Sequence, residues 1–175
     1  RQMLESPETN KIRLAKEFVK FNERCFVRLL GDMRSYNFVV SITPDIEDYQ
    51  YRIRCIDFDQ QTYEGRKNLY LPQFYRENFD YVELVLKTLS PEVIEQYQME
   101  EQTAMAYRAF ASRKQLLELL SIMIKDELSE YYKIKMLREE LNTHFNTHYF
   151  SKCSTMGTIV KRQLKLVLQK HLQHI

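Results

Sequence analysis

The fold is decided by the run Arg28-Leu-Leu-Gly-Asp-Met-Arg-Ser-Tyr-Asn-Phe-Val-Val-Ser-Ile42, which resumes after a polar loop as Tyr51-Arg-Ile-Arg-Cys-Ile-Asp-Phe-Asp59. Three polar residues interrupt its apolar surroundings: Asp32, Asn37 and Asp57. Asn37 directly precedes one apolar run, and Asp57 ends the next. If the two runs pair as strands, both side chains reach the same end of the pair. The stretch therefore predicts a polar site at one end of a small sheet.

The two runs have the patterns of strands. Phe38 to Ile42 is apolar, whereas Tyr51, Ile53 and Cys55 alternate with arginines. Alternation of apolar and polar residues is typical of a strand with one buried face. The connection, residues 43–50, is polar and contains a proline. We therefore expect a β-hairpin that brings the end of one run close to the start of the other.

The order and spacing of these residues resemble the catalytic centre of the protein-kinase-like superfamily. The matching residues are Gly31-Asp32-Met-Arg-Ser-Tyr-Asn37 followed by Ile56-Asp57-Phe58-Asp59. An aspartate, four residues, an asparagine and a later strand ending in Asp-Phe-Gly form the superfamily pattern. The Gly-Asp start and the Asp-Phe-Asp ending are more similar to aminoglycoside and choline phosphotransferases and bacterial lipopolysaccharide kinases than to eukaryotic protein kinases. The close resemblance covers residues 24–63.

The resemblance implies a role for each polar residue. Asp32 would be the catalytic aspartate that orients an acceptor hydroxyl and receives its proton. Asn37 and Asp57 would bind Mg²⁺ and the ATP phosphates, and Arg34 would contact the γ-phosphate. Asp59 would supply a further carboxylate to the metal or hold the loop. The implied cofactors are Mg²⁺ and ATP, and the implied acceptor is a hydroxyl on a small molecule, a saccharide or a protein.

The same residues also have ordinary structural interpretations. Asp32 after a glycine is common in turns, Asn37 is typical of an Asx turn, and Asp57 could simply end a strand. Leu30 stands where relatives often carry a histidine that supports the catalytic loop. A non-catalytic pseudokinase or helical scaffold is therefore the alternative function. A third hypothesis, a nucleic-acid-binding domain, would use the basic segment 151–175, but a solvated basic helix face explains that segment better.

The fold class expected from the whole chain is mainly α (α+β). A kinase-like C-terminal lobe would carry the catalytic loop on a small β-hairpin, followed by a helical bundle. We expect a single domain over residues 1–175, with a catalytic-loop and metal-loop core in 1–70 and a helical subdomain in 71–175. Neither a Gly-x-Gly-x-x-Gly loop nor an upstream strand lysine is present. The N-terminal lobe is thus expected to be absent from this chain, which alone would be inactive as a kinase.

Local signals predict several helix boundaries. Ser6 followed by Pro7 predicts a helix start, and Ser90 followed by Pro91 predicts another. The glutamates between residues 92 and 101, Glu101 included, are expected to form a solvated acidic face.

Composition limits the class of protein. The chain has 175 residues, of which 44% are hydrophobic and 29% charged, enough for one domain with a core. Its net charge of +2 by itself argues neither for nor against nucleic acid as a partner. The three cysteines form no Cys-x-x-Cys motif, so free thiols and a reducing, cytoplasmic location are expected. No apolar run reaches the length of a transmembrane segment.

Overall fold

A computed structural model describes residues 2–125 and 128–172. The described α-helices are α1 (Gln2–Glu5), α2 (Lys11–Arg28), α3 (Phe79–Thr88), α4 (Pro91–Ala111), α5 (Arg113–Lys125), α6 (Tyr131–His144) and α7 (Met156–Leu168). The two strands are β1 (Phe38–Pro44) and β2 (Tyr49–Cys55). Short 3₁₀ turns cover Lys67–Tyr70, Pro72–Phe74, Arg76–Asn78 and Gln169–Leu172. The prediction of a mainly helical fold with one small sheet is confirmed.

The predicted hairpin forms as an antiparallel pair. Phe38 lies opposite Cys55, and the register continues to Pro44 opposite Tyr49. The side chains of Tyr51 and Ile53 are buried, whereas the intervening arginine positions are more exposed. The hairpin therefore packs one face on the helices, as the alternation predicted.

Helix α2 begins later than the sequence predicted. Its N-cap is Asn10, whose side chain accepts a hydrogen bond from the backbone N–H of Arg13 at 3.0 Å. The backbone N–H of Asn10 also donates to the hydroxyl of Tyr51 at 3.0 Å. The prediction of a helix start at Ser6 was wrong because this contact with the hairpin fixes the cap at Asn10. Helix α4 does begin after Ser90, whose side chain accepts from Val93.

Helix α2 is central to the hydrophobic core. Phe18 and Phe21 pack with Phe38 and Tyr81 in one cluster of buried side chains. Further along the same helix, Phe26 belongs to a second cluster with residues of α5, α6 and α7, and Val27 belongs to a third with residues of α4 and α7. The hairpin and the C-terminal helices are thus held on different faces of one helix.

A buried ionic network joins α2 to α4 and corrects the expectation for Glu101. The Glu101 side chain is only 3% exposed, so it is not part of a solvated face. Its carboxylate lies 3.3 Å from Arg24 Nη1, 3.7 Å from Arg52 and 2.8 Å from Arg108. Glu17 accepts from Arg24 Nη2 at 2.5 Å and from the backbone of β2. Burial, and then the positive charge of Arg24, hold the pKa of Arg52 below its ordinary value.

None of the described helices combines the length and apolar character that crossing a bilayer requires.

Candidate functional site

The loop that carries Asp32 starts where α2 ends. Leu29, the C-cap, adopts a left-handed conformation with φ of 52°, and its N–H donates to the last turn of α2. Gly31 then passes close to the neighbouring segment, donating its N–H to Gln60 O at 3.1 Å. A Cβ at Gly31 would lie 3.1 Å from that oxygen, so a larger residue would crowd this crossing. The loop is therefore tied to the segment that follows Asp57.

The Asp32 carboxylate is held by two neighbours. Arg34 Nη1 lies 2.6 Å from Oδ1, and the amide nitrogen of Asn37 lies 3.3 Å from Oδ2. The Asn37 amide also donates to the backbone oxygen of Asp32 at 2.7 Å. The Asp32 side chain remains 31% exposed. A fixed, solvent-accessible carboxylate can orient a hydroxyl group and accept its proton.

Asn37 and the residues before Asp57 are joined by the hairpin backbone. Ile56 N–H donates to Asn37 O at 3.0 Å, directly beyond the pair Phe38 and Cys55. Asp57 is the next residue, so the structure brings Asn37 and Asp57 to the same end of the hairpin, as predicted. Asn37 is buried, and its amide oxygen accepts no hydrogen bond from the described residues.

Asp57 forms a tight turn after β2. Its Oδ1 accepts the backbone N–H of Asp59 at 3.0 Å, which fixes the side-chain direction. Asp57 is half-buried and forms no ion pair with the described lysines or arginines, whereas Asp59 is exposed. Ile56 and Phe58, on either side of Asp57, are also exposed. Asp57 thus lies at the end of the hairpin that also carries Asn37, with its carboxylate bonded to the backbone of Asp59.

Backbone strain is concentrated around this loop. Leu29, Asp32 and Thr62 all have φ between 52° and 54°, a region that branched and bulky side chains rarely adopt. Thr62 N–H donates to Leu29 O at 2.7 Å, so two of these residues hold each other. Such conformations cost about 1–3 kcal/mol each and cluster at functional sites. Their position favours a function for this loop.

The structure assigns a different set of contacts to Arg34 from those implied by the resemblance. Besides Asp32, its guanidinium lies 3.7 Å from Glu77 and 5.1 Å from the ring centre of Tyr75. The hydrogen bond to the Tyr36 hydroxyl, and then the charge of Asp32, raise the pKa of Arg34. A phosphate contact at Arg34 would have to compete with both carboxylates.

The sequence did not predict the residues that hydrogen-bond to the backbone of the loop that carries Asp32. Tyr75 accepts the N–H of Asp32 at 3.0 Å and donates to Leu69 O at 2.7 Å. Burial raises the pKa of the Tyr75 hydroxyl, which keeps its donating proton. The fully buried Asn78 donates to Met33 O at 2.7 Å. The sequence around Tyr75 and Asn78 contains no motif of characteristic spacing, so no local pattern predicted their contacts with the loop that carries Asp32.

The side chains of Asn37 and Asp57 carry oxygen atoms of the kind that a hard cation such as Mg²⁺ binds. Oxygen ligands with vacant positions for water and phosphate are what Mg²⁺ prefers, and Asn37 and Asp57 supply two such ligands. Across residues 2–125 and 128–172, no three His, Cys, Asp or Glu side chains gather into a metal-binding group. Asp32, Asp57 and Asp59 therefore do not form a three-carboxylate metal site.

Comparison with known proteins gives no relative, since no family model, no curated protein and no solved structure matches this chain.

Proposed function

We propose that this chain carries the catalytic and metal-binding loops of a kinase-like phosphotransferase that uses ATP and Mg²⁺. The acceptor class is a hydroxyl compound. Asp32 is the group that orients this hydroxyl and takes its proton, while Asn37 and Asp57 hold the metal. Bound Mg²⁺ would neutralise charge on the phosphates during transfer.

The observation that supports this proposal most is the linkage of Asp32, Asn37 and Asp57. The Asn37 amide nitrogen is spent on Asp32, which leaves its oxygen for a cation. The Asn37 backbone oxygen pairs with Ile56, which holds Asp57 beside it. Asn37 thus contacts the carboxylate proposed to accept the proton and the backbone that leads directly to Asp57. Phosphoryl transfer depends mainly on such positioning and on charge neutralisation.

One observation favours the alternative function, a non-catalytic pseudokinase or scaffold. Both oxygens of Asp32 already have partners, with Arg34 at 2.6 Å and Asn37 at 3.3 Å. A carboxylate held in this way can serve as a structural link between the loop and the 3₁₀ turn Arg76–Asn78 through Arg34 and Glu77. The two functions differ in whether Mg²⁺-ATP binds at Asp57.

The test is the thermal unfolding of the full-length protein, as wild type and as Asp57→Ala, with and without Mg²⁺-ATP. Ligand at 100 times its dissociation constant stabilises the wild type by about 2.7 kcal/mol. For a protein of roughly 150–250 residues, that raises the melting temperature by about 5–10 °C. Asp57→Ala should lose this increase. Without ligand, the variant loses one turn hydrogen bond and about 1 kcal/mol.

Glu47→Ala is the matched control, because it removes an exposed carboxylate from the opposite end of the same hairpin. It should keep the full Mg²⁺-ATP response. A wild type whose melting ignores Mg²⁺-ATP would refute the phosphotransferase proposal. Early unfolding of Asp57→Ala in that case would identify Asp57 as a structural residue and support the scaffold.

A further inference from the structure

A cavity of about 730 Å³ lies between helices α2, α4, α5 and α7 and the segment after Asp57. Its volume is within the range of about 300–1,000 Å³ that is typical of small-molecule sites. The residues used above for Mg²⁺-ATP do not line it, apart from Asp59. The cavity is therefore a separate candidate site.

The walls of the cavity are mostly apolar. They include side chains of α4, α5 and α7, among them Met105, Leu116, Leu120, Met123, Val160 and Leu164. Leu119 and Ile122 of α5 also line it, although they are 55% and 60% exposed. These side chains offer water few hydrogen-bonding groups. Burying their apolar surface against the hydrocarbon chain of a ligand would therefore lower the free energy.

Arginine side chains are gathered at one side of this apolar space. Arg24, Arg28 and Arg108 all line it. They are close to one another, because Arg28 Nε donates to Arg24 O at 2.9 Å, and Arg24 and Arg108 share the carboxylate of Glu101. Arg24 is 7% exposed, and its Nη1 makes no hydrogen bond, although it lies 3.3 Å from Glu101. A buried guanidinium nitrogen without a hydrogen bond is costly unless an acceptor arrives.

Positive charge exceeds negative charge at this side by about one unit while the Cys55 thiol is protonated. Glu17 and Glu101 are shared by the three paired arginines, Arg24, Arg52 and Arg108. Arg28 has no carboxylate partner among the described residues; its Nη2 contacts only Cys55 Sγ, at 4.0 Å. Asp59, at the edge of the cavity, is exposed and unpaired within the described chain. Four cations thus stand against three carboxylates.

We infer that this cavity binds the anion of a fatty acid. The carboxylate pairs with Arg28 and with the free hydrogen-bonding capacity of Arg24, and the acyl chain lies among the side chains of α5 and α7. A guanidinium matches a carboxylate through two parallel hydrogen bonds. The excess of one positive charge fits a carboxylate better than a phosphate dianion. The fatty-acid site is independent of the phosphotransferase proposal.

The experiment is calorimetric titration with three twelve-carbon probes below their micelle concentrations: dodecanoate, dodecyl phosphate and dodecyltrimethylammonium. Dodecanoate should bind with one-to-one stoichiometry and at least tenfold more tightly than the ammonium probe, with dodecyl phosphate weaker than dodecanoate. Arg28→Gln should weaken dodecanoate at least tenfold and leave the ammonium probe unchanged. Val160→Phe, which fills the apolar wall, should weaken all binding. Lys161→Gln is the charge control, because it removes an exposed cation from α7, and it should leave the affinity for all three probes unchanged.

A second readout keeps the test decisive if Arg28→Gln unfolds. Because Arg28 contacts Cys55, a bound carboxylate at Arg28 should slow the alkylation of Cys55 in the wild type at least threefold. Equal affinities for dodecanoate and dodecyltrimethylammonium would overturn the inference, because they would show that the probes partition like detergents without recognition of the head group. Preferential binding of dodecyl phosphate would identify a phosphate-headed ligand instead. Absence of binding, with a dimer in sedimentation, would assign the apolar face to a second copy of the chain.

Discussion

Replacing Arg24 with methionine should be among the most destabilising single changes on α2. Methionine has a similar length but no charge, so Arg24→Met removes the cation that Glu17 and Glu101 share. The lost contacts are Nη2 to Glu17 at 2.5 Å, Nη2 to Ile53 O at 3.1 Å and Nη1 to Glu101 at 3.3 Å. Both glutamates stay buried. Glu17 then keeps only Arg52 among the described cations, at 3.8 Å, whereas Glu101 keeps Arg108 at 2.8 Å and Arg52 at 3.7 Å.

The magnitude follows from burial. Removing one partner of a buried ion pair leaves an uncompensated charge and costs about 3–5 kcal/mol. Arg108→Met is the matched control, since Arg108 also pairs with Glu101 but its side chain is 56% exposed. Its loss should cost less than about 1 kcal/mol, because exposed pairs contribute little.

Urea unfolding followed by circular dichroism measures both variants. With a slope of about 1–3 kcal/mol/M, Arg24→Met should lower the midpoint by about 1 M or more. Glu17→Gln in the Arg24→Met background should cost at least about 1 kcal/mol less than the sum of the two single losses, since a neutral amide at position 17 needs no cation. If Arg24→Met and Arg108→Met destabilise the protein equally, the buried network does not hold α2 to α4 and this reasoning fails.

Three further predictions concern thiol reactivity, pH and helix packing. The hydrogen bond from Cys25, and then nearby guanidinium groups, lower the pKa of Cys55 to about 7, whereas burial raises that of Cys25. Iodoacetamide should therefore modify Cys55 first, with a rate that rises through pH 7, and equal labelling of both in mass spectra would contradict this. Burial raises the pKa of Glu23, so its stabilising contribution is present at low pH and is lost as pH rises through the native pKa. In urea titrations at pH 4 and 7, Glu23→Gln should lose less unfolding free energy between the two pH values than the wild type does. An equal loss in both proteins would contradict this prediction. Gly157→Ala would place a Cβ 2.6 Å from the backbone nitrogen of Ile124, so it should separate α5 from α7 and cost about 1–3 kcal/mol in urea unfolding. Alanine stabilises an isolated helix relative to glycine. If Gly157→Ala likewise stabilised this protein, the close packing of α5 on α7 at Gly157 would be refuted.

Residues close in sequence were predicted well where a local pattern determines the structure. The alternation from Tyr51 to Cys55 fixed the face of β2, and the Ser90-Pro91 pair fixed the start of α4. The same kind of signal failed at Ser6, because a hairpin hydroxyl determines the cap at Asn10. It failed again at Glu101, whose cations lie on α2, on β2 and further along α4.

The sequence by itself determined the hairpin and the position of Asn37 and Asp57 at the same end of it. Period-two patterning and strand pairing depend on neighbouring residues, so they are readable along the chain. Only the tertiary structure decided how Asp32 is held, because Tyr75 reaches it from 43 residues away. Only the tertiary structure created the arginine-lined cavity, since its walls come from helices whose sequences specify apolar faces but not their partners. Packing between distant segments depends on the shape of the whole core, and no local pattern contains that information.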